Sequence, residues 1–338
     1  MNNHYVPQFL LSHFCIDGKI QYMDLSSKKV ESRNTRSVFS EKGYYPDEIE
    51  TDLCNKIERD FARLFSNKIV NAKSRITLSD EEWFLIEKYL LITILRVRDD
   101  GFKNNAWVQI LKRDGIIEDF DYFEENYAGE FFKNINTILK CSSEPEMFEI
   151  VYKEENLLLY FYIRDIIYSY FIFVKSNNAK EDFIINDLGW ASYRGPMSVK
   201  KITAMCDMIE KRYDPHIKSL LKEISPQDYA IFPLSHNMAL IAMSPAFTIC
   251  LPGEPYNIIY PTEAPSLSKC LGFGNASVIT PPLIKQSFLG REEYLCDIKQ
   301  LPSNDIVFLN SVLLSQAEKF IGFADSKKVR RSFEYQGI

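Results

Sequence analysis

The sequence has little glycine and proline, and its cysteines form no recognisable motif. Its 338 residues include 13 Gly and 15 Pro, too few for a collagenous or low-complexity chain. The 7 Cys are an odd number, and no C-x-x-C pair or Cys/His spacing typical of a zinc site connects them. Scattered cysteines of this kind are typical of reduced thiols, so we expect a cytoplasmic protein.

Familiar catalytic signatures and membrane segments are missing as well. No GxxxxGK[ST], GxGxxG, GxSxG or HExxH motif occurs in the chain. A formal net charge of −6 argues against a surface coated with basic charge for non-specific binding of nucleic acid. The most apolar stretch, residues 157–174, contains Arg164 and Asp165, and the first residues have no basic leader region, so we expect no membrane insertion or export.

The chain contains enough apolar residues to form a hydrophobic core, with 46% hydrophobic and 14% aromatic residues. Apolar and polar residues alternate over residues 19–34, which predicts a hairpin. From Pro46 the apolar residues recur at helical spacing to about residue 72. Ser79 and Glu82 form the capping-box pattern that precedes a second long helix.

Apolar β-branched and aromatic runs dominate the second half. Residues 170–176 and 181–187 suggest one hairpin, and residues 229–243 suggest another. A helix is predicted from Ser303 to about Phe323. The sequence therefore predicts one α+β domain, with a helical N-terminal half packed on an antiparallel sheet of hairpins. Its parts are an N-terminal segment and hairpin (1–45), a helical region (46–167), a β-rich region (168–300) and a C-terminal helix (301–325).

The opening His4-Tyr5-Val6-Pro7-Gln8-Phe9 resembles the N-terminal signature of a bacterial family of unknown function, number 4238. The segment from Glu50 to Glu58, Arg96 and the C-terminal Asn310 resemble later features of the same family. One departure is Asn186-Asp187-Leu188-Gly189, where the family pattern is Ser-Asp-x-Pro. The resemblance implies this architecture and a bacterial cytoplasm, and it implies no reaction.

Four polar residues are candidates for a functional site. His4 lies near a chain terminus among apolar anchors, so it is either an acid–base imidazole or a structural, hydrogen-bonded His. Glu58 and Arg96 lie on successive predicted helices, where a structural ion pair is the favoured interpretation. Asp187 ends an apolar strand, which suits either a ligand for a metal or polar substrate, or a turn that binds backbone amides.

These residues suggest a metal-dependent hydrolase that acts on nucleic acid or nucleotides. His4 would be the general acid or base and Arg96 would stabilise phosphate charge, with Asp187 as a third catalytic residue. Asp187 and Glu58 would hold a divalent cation such as Mg²⁺ or Mn²⁺. Such an activity would suit a toxin or phage-defence effector.

Two alternatives remain open. One is a non-catalytic sensor or protein-interaction module, which would bind a protein partner. The other is a nucleotidyl or ADP-ribosyl transferase that uses the same polar residues.

Overall fold

A computed structural model places most of the chain. It describes residues 2–44, 46–96, 133–153, 159, 162–163, 166–167, 169–177, 180–193, 229–243, 283–288 and 291–338. Residues 97–132, 194–228 and 244–282, which belong to the predicted helical and β-rich regions, lie outside this part. The described residues confirm an α+β fold.

The helices dominate the N-terminal half and the C-terminus. They are α1 (Gln8–Ser12), α2 (Asp47–Leu53), α3 (Arg59–Leu64), α4 (Asp80–Leu95), α5 (Glu144–Lys153), α6 (Ser303–Ser315) and α7 (Ser326–Gln336). Two π-helical turns, Cys54–Glu58 and Phe65–Ile69, connect α2 to α3 and extend α3. No described helix is both long enough and apolar enough to span a membrane.

The strands form three sheets among the described residues. They are β1 (Asn2–His4), β2 (Ile20–Asp24), β3 (Lys29–Arg33), β4 (Ser40–Lys42), β5 (Arg75–Ser79), β6 (Tyr170–Ser176), β7 (Ile185–Asn186), β8 (Ala191–Tyr193), β9 (Tyr229–Ser235), β10 (Met238–Met243), β11 (Leu283–Phe288), β12 (Arg291–Leu301) and β13 (Phe320–Phe323). The large sheet has the order β11-β12-β6-β10-β9-β8, with β5 also paired to β12. A smaller sheet has the order β3-β2-β13-β7, and β1 pairs with β4.

The large sheet is buried on both faces. On β6, Phe171 and Phe173 belong to one hydrophobic core, and Ile172 and Val174 belong to a second. The first core packs the sheet against α2, α3 and α4, and the second packs it against α6 and the smaller sheet. Strands buried on both faces are continuously apolar, which explains why runs such as YFIFV show no alternation.

Local predictions are confirmed. The Ser79 hydroxyl accepts a hydrogen bond from the Glu82 amide, and the Glu82 carboxylate accepts one from the Ser79 amide, which completes the capping box of α4. The two hairpins at residues 19–34 and 229–243 are present as β2–β3 and β9–β10. These features depend on contacts between residues that are near in sequence.

Two predictions are wrong. Residues 170–176 and 181–187 form no hairpin, because β6 pairs with β10 and, in parallel, with β12, whereas β7 joins the smaller sheet through β13. The C-terminal helix ends at Ser315 instead of about Phe323. The chain then turns into β13, whose apolar Phe320–Phe323 run fills the middle of the smaller sheet.

Asp305, in the first turn of α6, provides a prediction about pH-dependent stability. It is 3% exposed, and its Oδ2 accepts no hydrogen bond from the described residues. Burial raises the pKa of this carboxyl from 3.8 to about 6, so the folded state binds its proton more tightly than the unfolded state does. Ionisation therefore destabilises the fold progressively between about pH 4 and pH 6, and the full cost is present above pH 6.

We expect Asp305→Asn to raise the free energy of unfolding by about 2 kcal/mol at pH 7.5 and to have little effect at pH 4. Urea unfolding at both pH values measures the difference. Asp17→Asn, in an exposed turn, is the control and should change stability equally little at both. A pH-independent effect of Asp305→Asn would show that the ionisation of Asp305 is not coupled to folding.

Candidate functional site

A π-helical turn brings two carboxylates toward the same side of a helix. In a regular α-helix, Glu50 and Glu58 would lie about 80° apart around the axis. The π-helical turn Cys54–Glu58 lies between them. Because its hydrogen bonds span five residues instead of four, the rotation about the helix axis is smaller per residue, which reduces the angle between the two side chains. Cys54 Sγ lies 3.7 Å from Glu58 Oε2. Burial raises the pKa of Glu50, and the neighbouring Glu58 charge raises it further.

Arg96 follows the last residue of α4 and pairs with Glu58. Its Nη2 donates to Glu58 Oε1, and the Arg96 side chain is 3% exposed against 16% for Glu58. The Tyr44 hydroxyl donates to the Arg96 carbonyl at 2.9 Å, which fixes the backbone at the helix end. The ion pair favoured from the sequence is therefore present, and it holds a nearly buried guanidinium in one orientation.

His4 lies next to this pair. As the last residue of β1 it is opposite Ser40 in β4, and Gln8 Nε2 lies 3.0 Å from the ring Nε2. Burial lowers the pKa of His4 below its usual value, although hydrogen bonds with the Thr35 backbone and the Glu58 charge oppose this. The imidazole is consequently neutral at pH 7, the form that can accept a proton.

Asp187 follows β7, and its carboxylate accepts hydrogen bonds from backbone amides of a segment that is distant in the sequence. Oδ1 accepts from the Glu318 amide at 2.9 Å, and Oδ2 accepts from Lys319 at 2.6 Å and Phe320 at 3.0 Å. Burial raises the pKa of Asp187, with these hydrogen bonds opposing the shift. The carboxylate thus bonds to amides, as the turn alternative supposed, but they belong to the segment that enters β13.

The backbone of the loop after Asp187 accounts for the glycine at position 189. Gly189 has φ +73°, whereas a proline ring would hold φ near −65°. A Cβ on Gly189 would also lie 3.3 Å from Thr93 Cγ2 of α4. This loop therefore requires glycine at position 189 and could not accept proline there.

Arg96 and Asp187 line a common cavity of about 330 Å³. The cavity lies between the N-terminal segment, the β2–β3 hairpin, the end of α4 and the turn before β13. Its lining comprises Tyr5, Tyr22, Arg33, Ser37, Phe39, Ser40, Glu41, Tyr44, Arg96, Asp187, Leu188, Glu318, Lys319 and Phe320. The structure therefore brings together two candidate residues that are far apart in the sequence.

His4 and Glu58 are not among the residues that line the cavity. Both nevertheless interact with Arg96. Glu58 forms an ion pair with Arg96, and the positive charge of Arg96 adds to the lowering of the His4 pKa by burial. Arg96 and Asp187 thus lie in the lining, and Arg96 connects the lining to Glu58 by the ion pair and acts on His4 through its charge.

The two carboxylates expected to hold a divalent cation are both engaged by protein donors. Asp187 accepts three amides, and Glu58 pairs with Arg96. Across the described ranges, no group of three or more His, Cys, Asp or Glu side chains is placed to hold a metal ion. Asp187 and Glu58 as arranged therefore do not fit a shared cation.

Sequence reasoning missed Arg33 and Lys319 in the cavity lining. Arg33 Cζ lies 5.1 Å from the ring centroid of Tyr22. The register of the predicted hairpin provides a signal for this contact, because Tyr22 pairs with Glu31 and Arg33 is the diagonal neighbour. Lys319 had no such signal, because the strand after it was predicted to be helix.

Comparison with known proteins identifies a family and nothing closer. No curated protein and no solved structure matches the chain. The family described as "Protein of unknown function (DUF4238)" matches residues 2–327. This match covers nearly the whole sequence, including all four candidate residues, so the chain belongs to the DUF4238 family.

Proposed function

We propose that the cavity binds the phosphate of a nucleotide or nucleic acid and that the protein is a hydrolase acting on that phosphate. The observation that carries the proposal is that Arg96 shares this cavity with Arg33 and Lys319. Guanidinium groups bind phosphate oxygens through paired N–H donors, and lysine adds a point charge. In a bacterial cytoplasm such a hydrolase would suit a toxin or phage-defence effector.

Arg96 would stabilise the charge that develops on the phosphate. Pairing with Glu58 through Nη2 orients the guanidinium. A preoriented cation stabilises a transition state without reorganising. Glu58 is therefore a positioning residue in this proposal, and Arg96 is the residue that contacts phosphate.

His4 would be the general base. Water attacks phosphorus as the P–O ester bond breaks, and the neutral imidazole takes the proton of the attacking water. The leaving oxygen takes a proton from solvent, and the imidazolium returns its proton to solvent. Because His4 is not among the residues that line the cavity, the proton would pass through one bridging water, which is within the reach of general-base catalysis.

Hydrolysis of bis(p-nitrophenyl) phosphate and p-nitrophenyl phosphate tests the proposal, with and without added Mg²⁺ or Mn²⁺. We expect Arg33→Ala and Lys319→Ala to raise KM about tenfold each, since each removes a charge-assisted contact of about 1.5 kcal/mol. His4→Gln should lower kcat by about 100-fold and leave KM nearly unchanged. Lys327→Ala, on the exposed side of α7, is the control and should change neither.

The engaged carboxylate of Asp187 favours a second candidate, a sensor that binds a nucleotide without turnover. In that case the wild-type protein would bind phosphate compounds and release no nitrophenol. Binding that is unaffected by Arg33→Ala and Lys319→Ala would contradict both candidates, because both depend on this cavity.

A further inference from the structure

Five aromatic rings in serial contact form one side of the cavity, the aromatic wall; Phe39 and Tyr22 are its buried part, and Tyr5, Tyr44 and Phe320 are half-buried. Ring centroids are 5.4 Å apart for Tyr44 and Tyr5, 6.2 Å for Tyr5 and Phe39, 5.2 Å for Phe39 and Tyr22, and 4.9 Å for Tyr22 and Phe320. All five residues line the cavity. A phosphate group has no flat apolar face that could pack on aromatic rings, whereas a nucleobase does.

The polar side of the lining carries charges of both signs. Arg33, Arg96 and Lys319 are cationic, and Glu41 and Glu318 add carboxylates to the lining. Arg33 also pairs with Glu31, as Arg96 does with Glu58. Carboxylates repel phosphate, but they accept hydrogen bonds from ribose hydroxyls and from amino groups of bases. A ligand with both a phosphate and hydroxyl or amino donors suits this mixture better than a simple anion does.

The size of the cavity limits the ligand to one small molecule. About 330 Å³ is at the lower end of the range for small-molecule pockets, which starts near 300 Å³. A polynucleotide would also need a basic track along the surface, whereas this chain has a net charge of −6. Size and charge together favour a single nucleotide over a polymer.

We infer that the cavity binds one free nucleoside monophosphate, with its base against the aromatic wall and its phosphate at Arg33, Arg96 and Lys319. The inference rests on the proposed function and narrows it from phosphates in general to a mononucleotide. Tyr5 and Tyr44 are then residues that determine specificity, because they are half-buried rings of the wall that contact each other, whereas Arg33 lies over Tyr22.

Isothermal titration calorimetry with AMP, UMP, ribose 5-phosphate and inorganic phosphate measures the contribution of the base. We expect at least one of the two nucleotides to bind about tenfold or more tightly than ribose 5-phosphate, the gain typical of one stacked base. A 20-nucleotide single strand should bind no more tightly than the preferred mononucleotide.

Variants at Tyr44 locate that contribution. Tyr44→Leu should reduce the ratio of AMP to ribose 5-phosphate affinity about fivefold or more, because it removes a ring from the wall. Tyr44→Phe keeps the ring and should keep the ratio, although it loses the hydrogen bond to the Arg96 carbonyl. Tyr335→Leu removes a ring that is 60% exposed on α7 and should leave the ratio unchanged.

The outcomes separate this inference from the proposed function. Equal affinities for AMP, UMP and ribose 5-phosphate would overturn the mononucleotide inference, as would tight binding of the 20-mer alone, and both results leave phosphate binding intact. No binding of any phosphate compound would overturn the proposed function as well. An unchanged affinity ratio in Tyr44→Leu would place the base away from the aromatic wall.

Discussion

Replacing Glu58 by alanine is expected to lower the free energy of unfolding by about 3–5 kcal/mol. The variant removes the partner of Arg96, a guanidinium that is 3% exposed and cannot lose its charge. A buried cation without its carboxylate keeps the full cost of leaving water and loses the attraction that offset it. The loss should therefore far exceed the change of up to about 1 kcal/mol typical of surface ion pairs.

Urea unfolding followed by circular dichroism measures this loss. Glu48→Ala is the matched control, because Glu48 lies in the same helical segment and is exposed; its effect should stay within about 0.5 kcal/mol. A double-mutant cycle with Arg96→Met isolates the pair, since the double variant should be more stable than the sum of the single effects predicts. Unchanged unfolding together with lost hydrolysis would instead assign Glu58 a direct catalytic role.

Elements whose determinants are local could be predicted from the sequence. The capping box of α4 needs only Ser79 and Glu82, which are three residues apart and bond to each other's backbone. The β2–β3 hairpin follows from its alternating pattern, because one face packs on the core. Neither depends on a partner far along the chain.

Strand pairing could not be predicted where both faces of a strand are buried. The β6 strand has residues of two different cores on its two faces, so its apolar run contains no information about its neighbours. Its partners, β10 and β12, lie more than 60 residues away in sequence. The segment before Asp187 is nearer to β6 in the sequence and equally apolar, so it was the predicted partner. That segment actually pairs with β13, whose residues were predicted to be part of a helix.

The candidate site was only partly visible for related reasons. Each residue type was recognisable, but Glu58 pairs with Arg96 from the end of the π turn Cys54–Glu58, which helical periodicity does not show. Arg33 lines the cavity from β3 of the smaller sheet, and Lys319 lines it from the turn before β13. Local patterns therefore indicated the residues, and long-range packing determined which of them meet.

Replacing Asp187 by alanine is expected to lower the free energy of unfolding by about 3 kcal/mol or more. The carboxylate accepts the amides of Glu318, Lys319 and Phe320, and hydrogen bonds to a charged group contribute about 1.5–3 kcal/mol each. Without it, the turn that leads into β13 loses its anchor on β7. Because Lys319 lies in that turn, phosphate affinity should fall as well, even where the protein remains folded.

Asp24 offers a matched control for this arrangement. Its Oδ1 also accepts two backbone amides, from Ser26 at 2.9 Å and Ser27 at 3.0 Å, but in an exposed turn. Asp24→Ala should therefore cost about 1 kcal/mol or less, since water replaces the lost acceptor. Asp187→Asn keeps one acceptor oxygen and should lie between Asp187→Ala and wild type. If Asp187→Ala unfolds like wild type and yet abolishes hydrolysis, the carboxylate acts on the substrate and does not serve as a clamp for the turn.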